Sequence, residues 1–284
     1  MTGKSFAKVN LALNVLNKAK PKELHDLDMI NVSVSLFDTI KIDVLDDEND
    51  NINISCNNNK VPTDSSNFVA KVIQKYKKTF NFHFSCNVKI IKRIPLEAGL
   101  GGGSANAATT LNILDKLLKT NMTVLQKMKF LESITSDGPY MVVSKTSRVK
   151  GSGNQIIPLE SKFKRKILLI KPKSGCNTKN IYSNLDYKNL RHPNINKIEE
   201  SLKNNDFDLL SKHLDNSLID SAKLSNPDIE DILNRLKACG FEIVSMTGSG
   251  STCFAMSKNK RPFKIAKELF KKDNYELFDI FNIK

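Results

Sequence analysis

Hydrophobic and polar residues alternate with a period of two near the start of the chain. The apolar positions of this segment share one parity: Val9, Leu11, Leu13 and Val15. Lys8, Asn10 and Asn14 fall on the other parity, so the segment predicts a strand with an apolar inner face and a second face that carries a cation and amides. Similar patterns predict further strands over 38–44, 52–54, 88–94, 167–170 and 243–246, and an edge strand over 277–283.

Apolar residues recur with the helical period in other parts of the chain. This period predicts helices over 67–80, 195–202, 208–222, 227–239 and 262–272. One more helix follows residue 104, where a stripe of apolar residues is spaced four, three and four apart: Ala107, Leu111, Leu114 and Leu118. Ser104 precedes this stripe and is the expected N-cap of the helix.

A glycine-rich stretch separates the strand that ends before Pro95 from the helix after Ser104. Four of its residues are glycines: Gly99, Gly101, Gly102 and Gly103. Glycines let backbone N–H groups approach a ligand closely, and the positive end of a helix attracts anions, so the order of strand, loop and helix predicts a phosphate-binding loop. The stretch lacks the Gly-Lys-Ser/Thr of a Walker A loop and the third glycine of a dinucleotide-binding turn, so a different class of loop is indicated.

Composition narrows the function classes only a little. Hydrophobic residues make up 40% and charged residues 26% of the 284 residues, as in an ordinary globular protein. With no membrane-length apolar run and no signal-peptide pattern, we expect a cytoplasmic protein that does not contact a membrane. The five cysteines are scattered, which indicates free thiols and no structural metal site. The net charge of +14 comes mainly from lysine, with six arginines, so we expect no nucleic-acid partner.

The run from Pro95 to Ala108 closely resembles the ATP-binding motif of the GHMP kinases. Its triple glycine followed by Ser104 and Asn-Ala-Ala is most similar to the branch whose acceptor is the cytidine-diphosphate-linked alcohol 4-diphosphocytidyl-2-C-methyl-D-erythritol. The resemblance implies a two-domain α+β fold, with an N-terminal domain over 1–160, a C-terminal domain over 161–284 and the active site in the cleft between them. It also implies that the cofactors are ATP and Mg²⁺, and that the protein is a monomer or homodimer.

The resemblance also assigns roles to individual residues. The ATP-binding segment that it implies comprises Pro95, Leu96, Glu97, Ala98, Gly99, Leu100, Gly101, Gly102, Gly103, Ser104 and Ala105. A second glycine turn, Gly248-Ser249-Gly250, resembles the family motif that supports this loop. Lys8 and Asn10 match the motif at the acceptor, and Thr178 lies in a segment similar to one beside the substrate.

Two positions of the acceptor site depart from the family pattern. In the branch described above, a histidine at the position of His25 recognises the cytosine ring, so the resemblance implies that His25 binds the acceptor. The family usually has aromatic residues where this chain has Leu24 and Asn31. These two residues leave open how the cytosine ring is held.

Asp137 is the expected catalytic base. An Asp before Gly-Pro is often a simple turn former, but transfer of a phosphoryl group to an alcohol needs a carboxylate that orients the hydroxyl group and accepts its proton. The family places an Asp two residues before Pro here, as in Asp137-Gly-Pro139. We therefore expect Asp137 and Lys8 to form the catalytic pair, with the cation favouring the ionised carboxylate.

The predicted reaction is ATP-dependent phosphorylation of the cytidine-linked alcohol in non-mevalonate isoprenoid precursor biosynthesis. Two alternatives remain at this point. The chain could be a GHMP kinase for another small alcohol, which Leu24 and Asn31 would suggest, or a catalytically silent nucleotide-binding regulator on the same scaffold. The presence of both Lys8 and Asp137 argues against the silent regulator.

Overall fold

The computed structural model describes residues 1–17, 25–45 and 49–283, and Leu24 lies outside these ranges. The strands within them are β1 (Thr2–Asn17), β2 (Asp26–Leu45), β3 (Ile52–Cys56), β4 (Ser85–Ile91), β5 (Ser147–Gly151), β6 (Gln155–Pro158), β7 (Lys166–Lys171), β8 (Ile243–Met246), β9 (Cys253–Met256) and β10 (Glu276–Ile283). The helices are α1 (Phe68–Phe80), α2 (Gly102–Leu118), α3 (Val124–Glu132), α4 (Gly138–Val143), α5 (Thr178–Ser183), α6 (Ile195–Asn204), α7 (Phe207–His213), α8 (Ile219–Ser225), α9 (Asp228–Ala238) and α10 (Arg261–Phe270).

The chain forms two compact units that alternate along the sequence. The first unit comprises Met1–Ala7, Leu36–Ile94 and Gly101–Ser144, and the second comprises Lys8–Ser35, Pro95–Leu100 and Lys145–Lys284. The glycine-rich stretch therefore contributes its first half to the second unit and its second half to the first. The division into domains at residue 160 stays a prediction.

The first unit packs helices against a small sheet. In this sheet β4 runs parallel to β3 and antiparallel to the second half of β2. The register of β2 with β4 extends from Thr39 opposite Ile91 to Leu45 opposite Ser85. Helix α1 begins after Asn67, whose side chain accepts a hydrogen bond from the N–H of Val69. Its buried face packs against α2, so the helix that follows the glycine loop is fixed by the core of this unit.

The second unit is built on antiparallel strands. Strand β10 pairs with β7 over six residues, β7 pairs with β9, and β9 pairs with β8. The first half of β2 pairs with β5, and β5 with β6. Every residue of β1 between Ala7 and Leu13 is buried. Lys8 and Asn10, which belong to the polar parity of β1, therefore lie inside the protein.

Three local predictions were wrong. Helix α2 begins at Gly102, and its N-cap is Gly101 in the left-handed conformation, so Ser104 lies in the first turn and is not the cap. The predicted helix over 208–222 is two helices, because Asp215 and Asn216 leave the helical path and Leu13 forms a bridge with Asn216. The predicted edge strand at the C-terminus is β10, which has partners on both sides, β7 and residues Ser33 and Val34 of β2.

Within the described ranges, no helix is long and apolar enough to cross a membrane. All five cysteines are free thiols, as predicted, and four of them are buried.

Candidate active site

The first half of the glycine loop contacts the turn between β8 and β9. Gly99 has φ of 70°, and a Cβ atom on it would lie 2.3 Å from the carbonyl oxygen of Thr247 and 3.0 Å from that of Gly250. Gly248, with φ of 60°, approaches the other side, since a Cβ on it would lie 3.2 Å from the carbonyl oxygen of Gly99. Glycine is needed at both positions because of the backbone conformation and the lack of space.

The second half of the loop starts α2 in the first unit. Gly101 has φ of 67° and turns the chain into the helix, whose first N–H groups have no acceptor within the helix itself. The ammonium nitrogen of Lys92 is 2.7 Å from the place that a Cβ on Gly102 would occupy. A helix N-terminus and a cation thus adjoin the same glycine, and both favour an anion there.

Asp38 holds Lys92 in this position. Its carboxylate is fully buried and accepts hydrogen bonds from the ammonium group of Lys92 at 2.5 Å and from the side-chain amide of Asn106 at 3.0 Å. The backbone N–H groups of Arg93 and Ile94 donate to the other carboxylate oxygen at 2.7 and 2.8 Å. Four donors satisfy the buried charge, which keeps the strand end and the start of α2 in a fixed arrangement.

Lys8 and Asn10 belong to a buried polar network of the second unit. Lys8 Nζ donates to Asn10 Oδ1 at 2.5 Å, and Asn10 Nδ2 donates to Asn31 Oδ1 at 2.6 Å. The backbone N–H of Asn10 donates to the hydroxyl of Thr247 at 2.9 Å, and this hydroxyl is 3.3 Å from the carbonyl oxygen of Gly99. Thr247 therefore connects the predicted acceptor residues to the glycine loop.

Asn31 has an unusual position in this network. It is fully buried, and its Nδ2 atom has no hydrogen-bond partner among the described residues. At the position where the family usually has an aromatic ring, this chain thus has an amide that orients Asn10. The structure places no ring there to stack on a base.

Asn216 supports the second glycine turn. Its side-chain amide donates to the carbonyl oxygens of Met246 and Gly248 at 2.8 and 2.9 Å, and its Oδ1 accepts from the N–H of Leu218. Ser249 in the same turn shares a hydrogen bond of 2.8 Å with the hydroxyl of Thr178, the first residue of α5. The predicted substrate residue Thr178 therefore adjoins the predicted supporting turn.

Cys176 lies on the other side of this turn, with its sulfur 3.3 Å from a Cβ position on Gly250. Burial raises the pKa of the Cys176 thiol. The thiol is therefore a neutral packing group beside the turn.

Asp137 is a half-buried residue at the start of α4 in the first unit. The hydroxyls of Ser104 and Thr135 are 2.5 Å apart, so the serine of the glycine loop lies beside the segment that carries Asp137. Gly138 allows tight packing behind it, since a Cβ there would be 2.7 Å from Cβ of Leu131. One hydrogen bond therefore joins the first turn of α2 to the segment that carries Asp137.

His25 belongs to the second unit, where its ring stacks on the rings of two tyrosines. Its ring centroid is 4.7 Å from that of Tyr182 and 6.4 Å from that of Tyr187. Burial raises the pKa of the Tyr187 phenol. Tyr182 and Tyr187 thus give His25 two aromatic neighbours.

The sequence reasoning missed five residues that shape the site: Asp38, Lys92, Asn216, Thr247 and Tyr187. Two of these residues could have been found from the amino-acid sequence. Thr247 directly precedes the second glycine turn. Lys92 is the charged residue on the parity of Val88, Ile90 and Ile94 in the predicted strand, and a charge on a buried parity is rare without a partner. The roles assigned above to individual residues, and the location of the active site in a cleft, stay predictions.

Known proteins of one family resemble this chain in sequence and in fold. Residues 67–141 match the family model of the GHMP kinases N terminal domain, and residues 198–275 match that of the GHMP kinases C terminal domain. The 4-diphosphocytidyl-2-C-methyl-D-erythritol kinase of Clostridium perfringens (strain ATCC 13124) is 35% identical over 283 residues, which cover 99% of this chain and 96% of the relative. The protein of the same name from Lachnoclostridium phytofermentans is 34% identical, covering 91% and 88%.

Solved structures confirm the predicted α+β fold. A crystal structure of 4-(cytidine 5'-diphospho)-2C-methyl-D-erythritol kinase superposes with a TM-score of 0.82 at 21% identity and covers 100% of both chains. The Methanococcus jannaschii mevalonate kinase has a TM-score of 0.71 at 13% identity, covering 100% and 98%. The chain therefore belongs to the GHMP kinases, and its curated relatives place it among the 4-diphosphocytidyl-2-C-methyl-D-erythritol kinases of that family.

Proposed function

We propose that this protein transfers the γ-phosphoryl group of ATP to a hydroxyl group of 4-diphosphocytidyl-2-C-methyl-D-erythritol, a step of non-mevalonate isoprenoid precursor biosynthesis. The observation that carries the proposal is the buried network of the second unit. It joins Lys8 and Asn10 through Thr247 to Gly99 of the phosphate loop. A cation that is fixed relative to a phosphate loop suits the transfer of a phosphoryl group.

The phosphates of ATP would bind to the glycine loop. Backbone N–H groups of the segment from Gly99 to Ser104 and the positive end of α2 would stabilise the phosphate charge, and the Lys92 ammonium beside Gly102 would add to it. A 17-residue helix supplies the full N-terminal partial charge. This part of the site binds the donor and does not require any side chain to change its protonation state.

Mg²⁺ would be held mainly by the phosphates of ATP and by water. Among the residues that the structure describes, no group of three or more histidine, cysteine, aspartate or glutamate residues could hold a metal ion. Ser104 and Glu97 are the side chains with oxygen atoms in the loop, which suits an ion that keeps several waters and takes few protein ligands. When bound, Mg²⁺ neutralises phosphate charge.

Asp137 and Lys8 would act on the acceptor. The Asp137 carboxylate would accept a hydrogen bond from the reacting hydroxyl and take its proton as the hydroxyl oxygen bonds to the γ-phosphorus. The bond from that phosphorus to the bridging oxygen of ADP breaks, and ADP leaves with the bonding electrons. Lys8, held by Asn10, would stabilise the charge of the transferred group.

The acceptor side would also use Asn10, His25 and Thr178. Asn10 combines a cationic neighbour with an amide, and Thr178 has its hydroxyl beside Ser249. His25 would bind the cytosine base of the acceptor. The oligomeric state, predicted to be monomer or homodimer, stays a prediction.

The test is direct measurement of phosphorylated product with purified protein, ATP and Mg²⁺. We expect turnover with the cytidine-linked acceptor, and a fall in kcat of at least about 100-fold for Asp137→Asn, because a general base contributes about that much or more. The matched control is Asp208→Asn, which removes an exposed carboxylate on α7 and should keep full turnover.

Two results would overturn the proposal. Faster turnover of a small alcohol without a cytidine group would make the chain a GHMP kinase for another acceptor. ATP binding without turnover of any acceptor would make it a nucleotide-binding regulator. Retention of near-full kcat by Asp137→Asn would leave the reaction in place and remove Asp137 from the role of base.

A further inference from the structure

Thr247 lies between the glycine loop and the buried pair of Lys8 and Asn10. Its side chain is fully buried, and its hydroxyl oxygen accepts a hydrogen bond from the backbone N–H of Asn10 at 2.9 Å. Two more oxygens lie close to the same hydroxyl: the carbonyl oxygen of Gly99 at 3.3 Å and Oδ1 of Asn10 at 3.4 Å. All four residues belong to the second unit, so the hydroxyl joins two parts of one compact body.

The chemistry of the neighbouring groups fixes the direction of each hydrogen bond. An ammonium group only donates, so the Asn10 atom at 2.5 Å from Lys8 Nζ is the acceptor Oδ1. The other polar atom of this side chain, Nδ2, donates to Oδ1 of Asn31 at 2.6 Å. Amide and carbonyl oxygens only accept, so the Thr247 hydroxyl is the donor toward both Asn10 Oδ1 and Gly99.

The one proton of the Thr247 hydroxyl therefore serves two acceptors. A hydrogen bond from a hydroxyl to an oxygen usually has a length of about 2.7–2.8 Å, and the distances of 3.3 and 3.4 Å are both longer. The proton is thus shared between the loop and the amide. A small movement of Gly99 changes the share that Asn10 Oδ1 receives, and the same oxygen holds the ammonium group of Lys8.

We propose that Thr247 is a positioning residue that couples nucleotide binding at the glycine loop to the Lys8–Asn10 pair on the acceptor side. The inference rests on the proposed function, which assigns the loop to ATP and the pair to the acceptor. Phosphates that bind to the loop fix Gly99, and the Thr247 hydroxyl transmits this constraint to Asn10 and Lys8. The acceptor then meets residues that are already ordered, so each ligand binds more tightly when the other is present.

Two fully buried threonines, Thr247 and Thr252, flank residues 248–251 and form a matched pair for mutagenesis. The backbone N–H of Thr247 donates to the carbonyl oxygen of Thr252 at 3.0 Å. The hydroxyl of Thr252 has no hydrogen-bond partner among the residues that the structure describes. Thr247→Val and Thr252→Val therefore make the same chemical change, but the first alone removes a hydroxyl that joins the loop to Asn10. Thr247→Ser keeps that hydroxyl.

The first experiment needs neither the acceptor nor turnover. Val9-Asn10 is the single Val-Asn pair in the sequence, so carbon-13 at the valine carbonyl and nitrogen-15 in asparagine give one correlated amide signal, that of Asn10. We expect ADP with Mg²⁺ to move this signal in the wild type and in Thr252→Val, and to leave it in place in Thr247→Val. ADP lacks the γ-phosphoryl group that Lys8 would contact, so the signal reports on the loop.

The second experiment measures the coupling by calorimetry with ADP and the cytidine-linked acceptor, which do not react with each other. The coupling factor is the Kd of ADP without the acceptor divided by its Kd with saturating acceptor. We expect a factor of at least about 5 in the wild type and about 1 in Thr247→Val. Thr247→Ser and Thr252→Val should keep the wild-type factor. A purely structural defect would raise both Kd values and leave their ratio unchanged.

The outcomes separate this inference from the proposed function. A wild-type Asn10 signal that ADP leaves in place, or an equal coupling factor in wild type and Thr247→Val, would overturn the inference while product formation still supports the function. Absence of phosphorylated product in a protein whose Asn10 signal responds to ADP through Thr247 would overturn the function alone. If Thr247→Val does not fold, the wild-type signal and the wild-type coupling factor decide: no response of the signal, or a factor of about 1, overturns the inference.

Discussion

Replacing Gly99 by alanine tests whether the contact between the glycine loop and the turn after β8 is as tight as the structure shows. Gly99 has φ of 70°, and holding an L-residue there costs about 1–2 kcal/mol. The new Cβ would lie 2.3 Å from the carbonyl oxygen of Thr247. Overpacking of this kind costs about 1–3 kcal/mol more, because the loop or the turn has to move. We expect Gly99→Ala to lower the free energy of unfolding by about 2–5 kcal/mol.

Gly240 supplies the control for the backbone contribution. Its φ is 90°, so alanine is strained there too, but the nearest atom to its Cβ position is Cγ of Pro262 at 3.8 Å. Gly240→Ala should therefore lose about 1–2 kcal/mol from backbone strain alone. The difference between the two variants measures the contact of Gly99 with Thr247.

Urea denaturation of both variants gives the two free energies, and steady-state kinetics gives the functional effect. A displacement of about 1 Å in a positioning loop can lower the rate about 100-fold, so kcat/KM for ATP should fall by that factor in Gly99→Ala. It should stay within about twofold of wild type in Gly240→Ala. Equal stability and equal kcat/KM for the two variants would show that the loop does not depend on this contact.

Three further predictions follow from buried contacts and from one half-buried carboxylate. Asn31→Leu removes the oxygen that accepts from Asn10 Nδ2; because Asn10 then loses its orientation, kcat/KM for the acceptor should fall about tenfold, measured by initial rates. Asn216→Ala leaves two buried carbonyl groups and one N–H group without their partner, so the free energy of unfolding in urea should fall by about 2–3 kcal/mol. Hydrogen bonds from His83, from a backbone N–H and from a lysine lower the pKa of Asp50 to about 2. Its contribution to stability is therefore present above the unfolded pKa of about 3.9 and is lost as pH falls toward 2. The stability difference between wild type and Asp50→Asn should shrink over that range, and a difference independent of pH would contradict the assignment.

Local sequence patterns were sufficient where a structural feature depends on neighbouring residues. The glycine stretch between a strand and a helix could be recognised because both the glycine spacing and the helical stripe are local. The start of that helix was placed three residues late, since Ser104 is a good capping residue in general and the left-handed conformation of Gly101 is not visible in the sequence.

Contacts between distant parts of the chain could not be predicted in the same way. Asn10 and Thr247 are separated by 237 positions, and no periodic pattern indicates that they share a hydrogen bond. The same limit applies to Tyr187, which meets His25 across 162 positions. Asp215 and Asn216 interrupt a helical pattern because of a bridge to Leu13, a partner that lies at the other end of the sequence.

The most direct test of the account is a competition for limiting ATP. The purified protein would receive equal concentrations of 4-diphosphocytidyl-2-C-methyl-D-erythritol, mevalonate and homoserine, with Mg²⁺, and the phosphorylated products would be quantified by phosphorus NMR. The account predicts that the transferred phosphate appears on the cytidine-linked alcohol. Phosphate mainly on mevalonate or homoserine, or unconsumed ATP in the presence of all three acceptors, would contradict it.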